Sequence, residues 1–190
     1  MSDNFEITLH PVRLAFPDLW EPTAFKPGQP LQFSATFLIP KGSNNDMLVN
    51  QTILACAAAK WGVNATNVIN SVKTSNQTFC YQDGDLKQNL DGYAGHMALS
   101  SKNKKQPTIV DIDTTMLTEK SGKPYAGCYV LAKVGIWAQQ NENGKAMRAS
   151  LLGVQFLKDG DSFTAGRVAT SEEFQDLSVA EDDAGAASLM

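Results

Sequence analysis

The sequence lacks most of the residue patterns on which enzymes and membrane proteins depend. It contains only 2 histidines, and neither lies beside a nucleophile motif such as G-x-S-x-G, which argues against acyl transfer. No G-x-x-x-x-G-K-[ST] phosphate loop is present, and no G-x-G-x-x-G motif follows a strand pattern. No apolar run is long enough to cross a bilayer. We therefore expect neither an enzyme nor a membrane protein, and no cofactor.

Cysteine is also scarce, and no export signal is recognisable. The 3 cysteines, Cys56, Cys80 and Cys128, are widely spaced and include no C-x-x-C pair. This usage favours reduced, mostly buried thiols over disulfides or a zinc site. The first residues, MSDNFEITLH, contain no basic segment followed by an apolar stretch. These features predict a cytoplasmic protein.

Three aspartate pairs, at 83/85, 111/113 and 159/161, are the nearest approach to a metal site. The sequence DGD occurs at 83 and at 159, and it is common turn chemistry. Hard cations need further oxygen ligands at a defined spacing, which the sequence does not supply. We expect solvated turns and no metal.

Charge is unevenly distributed along the chain. The formal net charge is −4, but all 16 lysines and arginines lie at or before Arg167, and six of the 20 acids follow it. Residues 1–167 therefore carry +2 and residues 168–190 carry −6. A slightly basic body with an acidic tail is a pattern found in nucleic-acid-binding proteins, although acidic tails also serve only as solubilisers.

Alternating apolar and polar residues predict five or six β-strands. Gly95, Gly135 and Gly153 lie inside strand patterns, and glycine there permits the bends that barrel closure requires. The fold class predicted is mainly β: a five-stranded, OB-fold-like antiparallel barrel with an inserted α-helix and a flexible acidic C-terminal tail. The expected strands cover residues 5–14, 31–39, 92–100, 108–112, 127–138 and 149–159.

One helix is well marked between the second and third of these strands. Ser43 can cap it, and Gly62 supplies a stop. A buried stripe is predicted from the helical spacing of Leu54, Ala57, Ala58 and Trp61. Residues 63–91 have the polar, irregular character of a loop. The proline-rich stretch FPDLWEPTAFKPGQP predicts a connection in which Phe16, Trp20 and Phe25 form a packed flap.

The strand GCYVLAKVGIWA, residues 127–138, has two contrasting faces. Cys128, Val130, Ala132, Val134 and Ile136 form an apolar face that is typical of a core. The opposite face carries Tyr129, Lys133 and Trp137 at every fourth residue, which gives ring, cation and ring along roughly 27 Å. Proteins that hold single-stranded nucleic acid without reading its sequence combine stacking rings with a basic groove.

This face leads to a candidate DNA-binding site. Lys102, Lys104 and Lys105 form a cationic loop nearby, and the barrel can bring further groups to the same side, namely Tyr93, Tyr125, Arg13 and Arg148. The alternative is that the inserted helix covers the face, so that Tyr129 and Trp137 are core residues with polar tips. In that case we expect the DNA to run past the lysine loop.

Six segments in order resemble the single-stranded DNA-binding protein family of tailed phages typified by an Enterobacter phage protein. They are VRLAFPDLWEPTAFKPGQPLQFSATFLIPK, AAAKWG, YQDGD, GYAGHMALS, GCYVLAKVGIWA and LLGVQFLKDGD, and the resemblance spans about residues 10–175. It implies an OB-fold at residues 1–169, an acidic tail at 170–190, and DNA binding in phage replication or recombination inside the infected bacterial cell. Through the tail it implies contacts with replication or recombination proteins. The chain ends in AASLM, however, where the cellular bacterial proteins end with an acidic run closed by proline and phenylalanine.

The leading hypothesis is therefore non-sequence-specific binding of single-stranded DNA that protects it during phage replication, recombination or repair. The alternative is a small β-barrel that acts as a protein-interaction or structural phage component and binds no nucleic acid. The sequence carries no signal for a particular oligomeric state.

Overall fold

A closed β-barrel forms the centre of the protein. The computed structural model describes residues 5–163, 171, 174 and 175. These residues contain seven strands and two α-helices. In chain order the elements are β1 (Glu6–Thr23), β2 (Gln32–Pro40), α1 (Asn44–Trp61), α2 (Ala65–Val72), β3 (Tyr81–Asp83), β4 (His96–Asn103), β5 (Thr108–Val110), β6 (Tyr129–Asn141) and β7 (Gly144–Lys158).

Five of the strands make the barrel, in the order β4, β2, β1, β6 and β7. Neighbours along this order are antiparallel. The barrel closes between β4 and β7, which run parallel and place Lys102 opposite Ser150. The short strands β3 and β5 extend the sheet beside β4 and β7. The predicted five-stranded, OB-fold-like barrel is confirmed, with one parallel pair at its closure.

The first strand is much longer than the sequence predicts. Residues 16–23 belong to β1 and not to a connection, so the expected strand end at Leu14 is wrong. Register shifts interrupt the pairing with β2 between Ala15 and Asp18, and again between Asp18 and Thr23. Pro17 falls in the first of these irregularities, where a missing N–H removes no regular ladder bond. Proline therefore marks a bulge here and not the end of the strand.

The barrel interior is formed by the apolar faces of the strands. All five residues predicted as the core face of β6 are buried, from Cys128 to Ile136. They pack with inward residues of the neighbouring strands, such as Leu9 of β1 and Phe37 of β2. A second, smaller cluster lies on the outside of β1, β2 and β4 and contains Ala15, Leu38, Tyr93 and Ala98.

Helix α1 begins and ends where the sequence predicts, but its buried stripe is different. The Ser43 hydroxyl accepts a hydrogen bond from the Asp46 amide at 3.2 Å, and Gly62 ends the helix with a positive φ of 56°. The buried residues are Val49, Ile53, Cys56 and Ala57. The predicted stripe is thus wrong at Leu54, which is 49% exposed, and at Ala58, whereas Ala57 is buried and Trp61 packs partly buried against the core. Apolar side chains surround α1, so spacing alone did not identify the face that meets the barrel.

A second helix occupies part of the region predicted as irregular. Helix α2 buries Ala65, Val68 and Val72, which lie at helical spacing. The threonine, two asparagines and serine between them have low helix propensity, which obscured the pattern in the sequence. Packing against α1 and β7 stabilises this short helix.

The cysteines are buried, as predicted. Cys56, Cys80 and Cys128 all lie in the main core. Burial raises the pKa of the Cys80 thiol to about 12 and that of Cys128 to about 11. These thiols therefore remain protonated at neutral pH, which suits packing and not redox chemistry.

The predicted acidic tail, residues 170–190, lies outside the described residues except for 171, 174 and 175.

Among the helices that the structure describes, none combines the length and apolar character needed to span a membrane.

Candidate nucleic-acid interface

The outer face of β6 is accessible along its length. Lys133 is exposed and Trp137 is 44% exposed, whereas Tyr129 is half-buried. Helix α1 packs on the other side of the strand, in the same cluster as Val134 and Ile136. The covering of this face by the helix, the alternative left open by the sequence, does not occur.

Two cations flank the ring of Tyr129 at one end of this face. Arg13 of β1 and Lys158 of β7 are its direct cross-strand partners. The Lys158 ammonium lies 4.7 Å from the ring centroid, and the Arg13 guanidinium carbon lies 5.5 Å from it. A base stacked at Tyr129 would therefore have two positive charges close to its phosphates.

Arg13 and Tyr125 also hold the chain that follows β7. Arg13 donates hydrogen bonds to the carbonyls of Gly127 and Asp161, at 3.1 and 2.8 Å. The Tyr125 hydroxyl donates to the Asp159 carboxylate at 2.7 Å. The pKa of Tyr125 is raised by desolvation and by this carboxylate. The structure thus places both residues at the Tyr129 end of the face, with part of their hydrogen-bonding capacity in use.

Lys133 occupies the middle of the face. Its cross-strand partners are Thr8 of β1 and Gly153 of β7, which leave the surroundings of its side chain open. Within residues 5–163, Lys133 forms neither an ion pair nor a side-chain hydrogen bond. Its charge is therefore available to an anionic ligand.

Trp137 lies at the other end of the face, opposite Arg148 of β7. The Arg148 side chain donates to the Gln139 amide oxygen at 3.1 Å and to the Gln77 carbonyl at 2.7 Å. It thereby ties the segment before β3 to the barrel next to the indole. Arg148 adds positive charge here but is partly committed to the protein.

The predicted lysine loop begins later than expected, since Lys102 is part of β4. Its ammonium lies 5.4 Å from the ring centroid of Phe25, in the connection between β1 and β2. The following turn is fixed by Asn103, which accepts a hydrogen bond from the Lys105 amide and donates one to the Leu151 carbonyl. Lys104 and Lys105 are both exposed on this turn.

Phe25 is a candidate that the sequence prediction missed. It is 72% exposed and Lys26 and Lys102 both lie within 6 Å of its ring centroid, at 5.9 and 5.4 Å. Phe16 is 58% exposed as well, so the expected packed flap is wrong for both phenylalanines. The signal in the sequence was present, because the aromatic residue stands next to a lysine in a loop rich in proline and glycine.

Tyr93 does not join the surface. It is only 5% exposed and packs in the outer cluster with Ala15, Leu38 and Ala98. Its ring makes an edge-on contact with the ring of Phe16, and the two ring centroids are 6.3 Å apart. The glycine-rich stretch around Tyr93 folds back over the sheet before β4 begins. The alternation of inward and outward side chains expected for a strand over residues 92–100 therefore does not apply to Tyr93.

The barrel closure joins the β6 face to the patch formed by Phe25, Lys26, Lys102, Lys104 and Lys105, here called the lysine patch. Ser150 of β7 is opposite Lys102 on one side and opposite Gly135 of β6 on the other. At about 4.8 Å between neighbouring strands, Lys102 lies roughly 10 Å from Gly135. One continuous outer surface therefore leads from Tyr129 past Lys133 to the lysine patch.

The aspartate pairs have local roles. Asp83 and Asp85 both bind the Lys41 ammonium, at 2.6 and 2.5 Å, which lowers the pKa of both carboxyls. Asp111 pairs with Lys123 at 2.9 Å. Within the described part of the chain, no three histidine, cysteine, aspartate or glutamate side chains come close enough to hold a metal ion.

A barrel with this strand order and rings and lysines on its outer surface defines an OB-fold protein suited to binding oligonucleotides. Residues 5–184 match the sequence model of the family described as Enterobacter phage Enc34, ssDNA-binding protein. The chain belongs to this family. It is also 45% identical over 181 residues to a protein named p50 from Acyrthosiphon pisum secondary endosymbiont phage 1, covering 94% of this chain and 97% of that protein.

Solved structures agree on the fold. The single-stranded DNA-binding protein from bacteriophage Enc34, in complex with ssDNA, matches with a TM-score of 0.71 and 23% identity over 84% of this chain and 89% of that one. The single-stranded DNA-binding protein gp2.5 of bacteriophage T7 matches with a TM-score of 0.54 and 11% identity, over 91% of this chain and 96% of that one. At these identities the comparison establishes the architecture, and the contacts to a ligand have to be argued from this chain.

Proposed function

We propose that this protein binds single-stranded DNA without sequence preference, along the continuous surface from Tyr129 to the lysine patch. The observation that carries the proposal is the pairing of accessible aromatic rings with uncommitted lysines on a barrel of this family. Membership of a family named for ssDNA binding supports it.

The residues divide into two roles. Tyr129, Trp137 and Phe25 act as stacking platforms, each contributing about 1–3 kcal/mol per stacked base. The lysines neutralise phosphates and release counterions, so affinity falls with salt by a logarithmic slope of about 0.7 for each contact to a single strand. Because stacking and phosphate contacts are available to any base, the binding is independent of sequence.

The remaining predicted site residues act around the continuous surface from Tyr129 to the lysine patch, here called the DNA track. Arg13 and Arg148 contribute charge at its two ends, and Tyr125 holds the chain beside Tyr129. Tyr93 supports Phe16 from below and makes no direct contact with DNA. This division rests on the burial and hydrogen bonding of each side chain.

The same chemistry supports a protective biological role. By covering the strand, the protein protects DNA during phage replication, recombination or repair in the cytoplasm of the infected cell. It acts by binding and not by catalysis. Residues 1–169 form the DNA-binding domain, and the acidic residues 170–190 compete with DNA for the basic surface and contact replication or recombination proteins.

A mobility-shift series tests the proposal directly. The full chain is titrated against oligo-dT and against a duplex of equal length, at several salt concentrations. We expect oligo-dT to shift at lower protein concentration than the duplex, with an affinity that falls steeply as salt rises. If neither DNA shifts at low salt, the surface serves protein contacts and the DNA-binding proposal is wrong.

A further inference from the structure

The segment after β7 forms a tight strap across the Tyr129 end of the β6 face. The strap consists of residues 159–163, and its last amide, that of Phe163, donates to the Ala126 carbonyl at 2.9 Å. A Cβ placed on Gly127 would lie 2.1 Å from the Asp161 carbonyl oxygen, and Gly127 has a φ of +102°. Only glycine permits this approach, so the strap is seated firmly against the turn before β6.

Phe163 anchors the strap in the outer cluster. Its ring packs with Leu38 and Tyr93 and covers Gly92, where a Cβ would lie 2.4 Å from the ring. The ring also contacts Arg13, whose guanidinium carbon is 4.2 Å from the ring centroid. Phe163 therefore connects the apolar cluster to the cation beside Tyr129.

Arg13 is held by two rings and two carbonyls, and none of these groups is charged. Its guanidinium lies close to the rings of both Phe163 and Tyr129, and its two hydrogen bonds go to the neutral carbonyls of Gly127 and Asp161. In the described part of the chain no carboxylate pairs with it. Of the five N–H groups of an arginine, three remain available to a ligand.

We infer that Phe163 is a positioning residue, which holds Arg13 next to Tyr129 as a preformed binding group for the phosphate beside the base stacked on that ring. The inference rests on the proposed DNA binding. An arginine ordered before DNA arrives loses no further side-chain entropy on contact. Arginine suits this position better than lysine because its planar fork can bond the two carbonyls and a phosphate together.

A double-mutant cycle in the full chain tests this role. The variants are Arg13→Ala, Phe163→Ala and the two combined, with affinity for oligo-dT measured by fluorescence anisotropy across a salt series. We expect Arg13→Ala to weaken binding about tenfold or more and Phe163→Ala about two- to tenfold. The combined variant should be no weaker than Arg13→Ala alone, because Phe163 acts through Arg13.

The matched control is Lys133→Ala, since Lys133 lies outside the strap. Its effect should add to that of Phe163→Ala. The salt slope should also fall by up to about 0.7 in Phe163→Ala, which a general loss of stability would not produce. Phe163→Leu keeps an apolar anchor without the ring, and its affinity for oligo-dT should lie between those of the wild type and Phe163→Ala.

Two results would overturn the positioning role while leaving DNA binding intact. One is wild-type or tighter affinity in a folded Phe163→Ala variant, which would make the strap irrelevant or obstructive. The other is an additive effect of Arg13→Ala and Phe163→Ala. Absence of binding by the wild-type chain would instead refute the proposed function itself.

Discussion

Replacement of Trp137 by alanine tests the stacking role of the β6 face most directly. The indole is already partly covered by its neighbours, since it is 44% exposed. A base can therefore stack on the accessible part of the ring only, and we expect the lower half of the usual range, about 1–2 kcal/mol. This corresponds to a dissociation constant about 5- to 30-fold higher than that of the wild type.

The assay is a tryptophan fluorescence titration with oligo-dT of graded length. Trp137 is exposed, whereas the other two tryptophans, Trp20 and Trp61, are partly buried, so the DNA-induced quench should largely disappear in Trp137→Ala. Affinity of this variant is then measured by anisotropy with a labelled oligonucleotide. Graded lengths also give the site size, expected at about 4–16 nucleotides for one OB-fold.

Leu54→Ala is the matched control for Trp137→Ala. Leu54 has a similar exposure of 49% but lies on α1, outside the DNA track. Both variants should unfold at denaturant concentrations close to the wild type, and only Trp137→Ala should bind more weakly. Equal affinity of folded Trp137→Ala and wild type would refute the stacking role of this residue.

Three further predictions concern charge. The double variant Lys104→Ala and Lys105→Ala should lower the salt slope of the affinity for oligo-dT by about 1.4. The control Lys60→Ala on α1 should leave this slope unchanged. Equal slopes in the wild type and all variants would mean that the DNA binds elsewhere. Deletion of residues 171–190 should raise the affinity for oligo-dT at low salt, and unchanged affinity and slope would contradict competition by the tail. Burial raises the pKa of Cys80 from 9.0 to about 12. At pH values between these two pKa values, the Cys80 thiol loses its proton in the unfolded chain and keeps it in the folded chain. Denaturant titrations should show the free energy of unfolding falling as pH rises through this window, by up to about 1.4 kcal/mol per pH unit for this thiol, and Cys80→Ala should remove that part of the fall.

Much of the barrel could be predicted because alternation along a half-buried strand is a strong signal. The residues from Cys128 to Ile136 pack inward as that pattern requires. The ends of β1 and the buried face of α1 could not be predicted in the same way. Pro17 is compatible with a bulge as well as with a loop, and apolar residues on all sides of α1 leave its contact face to be decided by the barrel.

The candidate site was predicted best where it follows a single strand. Tyr129, Lys133 and Trp137 share one outer face because strand geometry requires it. Contacts between distant segments were beyond the reach of local patterns. Phe25 and Lys102 meet because β4 pairs with β2, next to the connection that carries Phe25, and Tyr93 is buried because the chain after β3 folds back over the sheet.

The closure of the barrel has a consequence for how the protein responds to force. Between β4 and β7 the strand register joins only Lys102 and Ser150 in the described residues, supplemented by the Asn103 side chain on the Leu151 carbonyl. By contrast, a long antiparallel ladder joins β6 and β7. The proposed DNA track crosses this weaker β4–β7 junction, here called the seam, so a bound DNA strand would contact both strands and hold them together. The same nucleic acid that the protein shields would then protect the barrel against opening, and amide exchange at the seam would slow when DNA is bound.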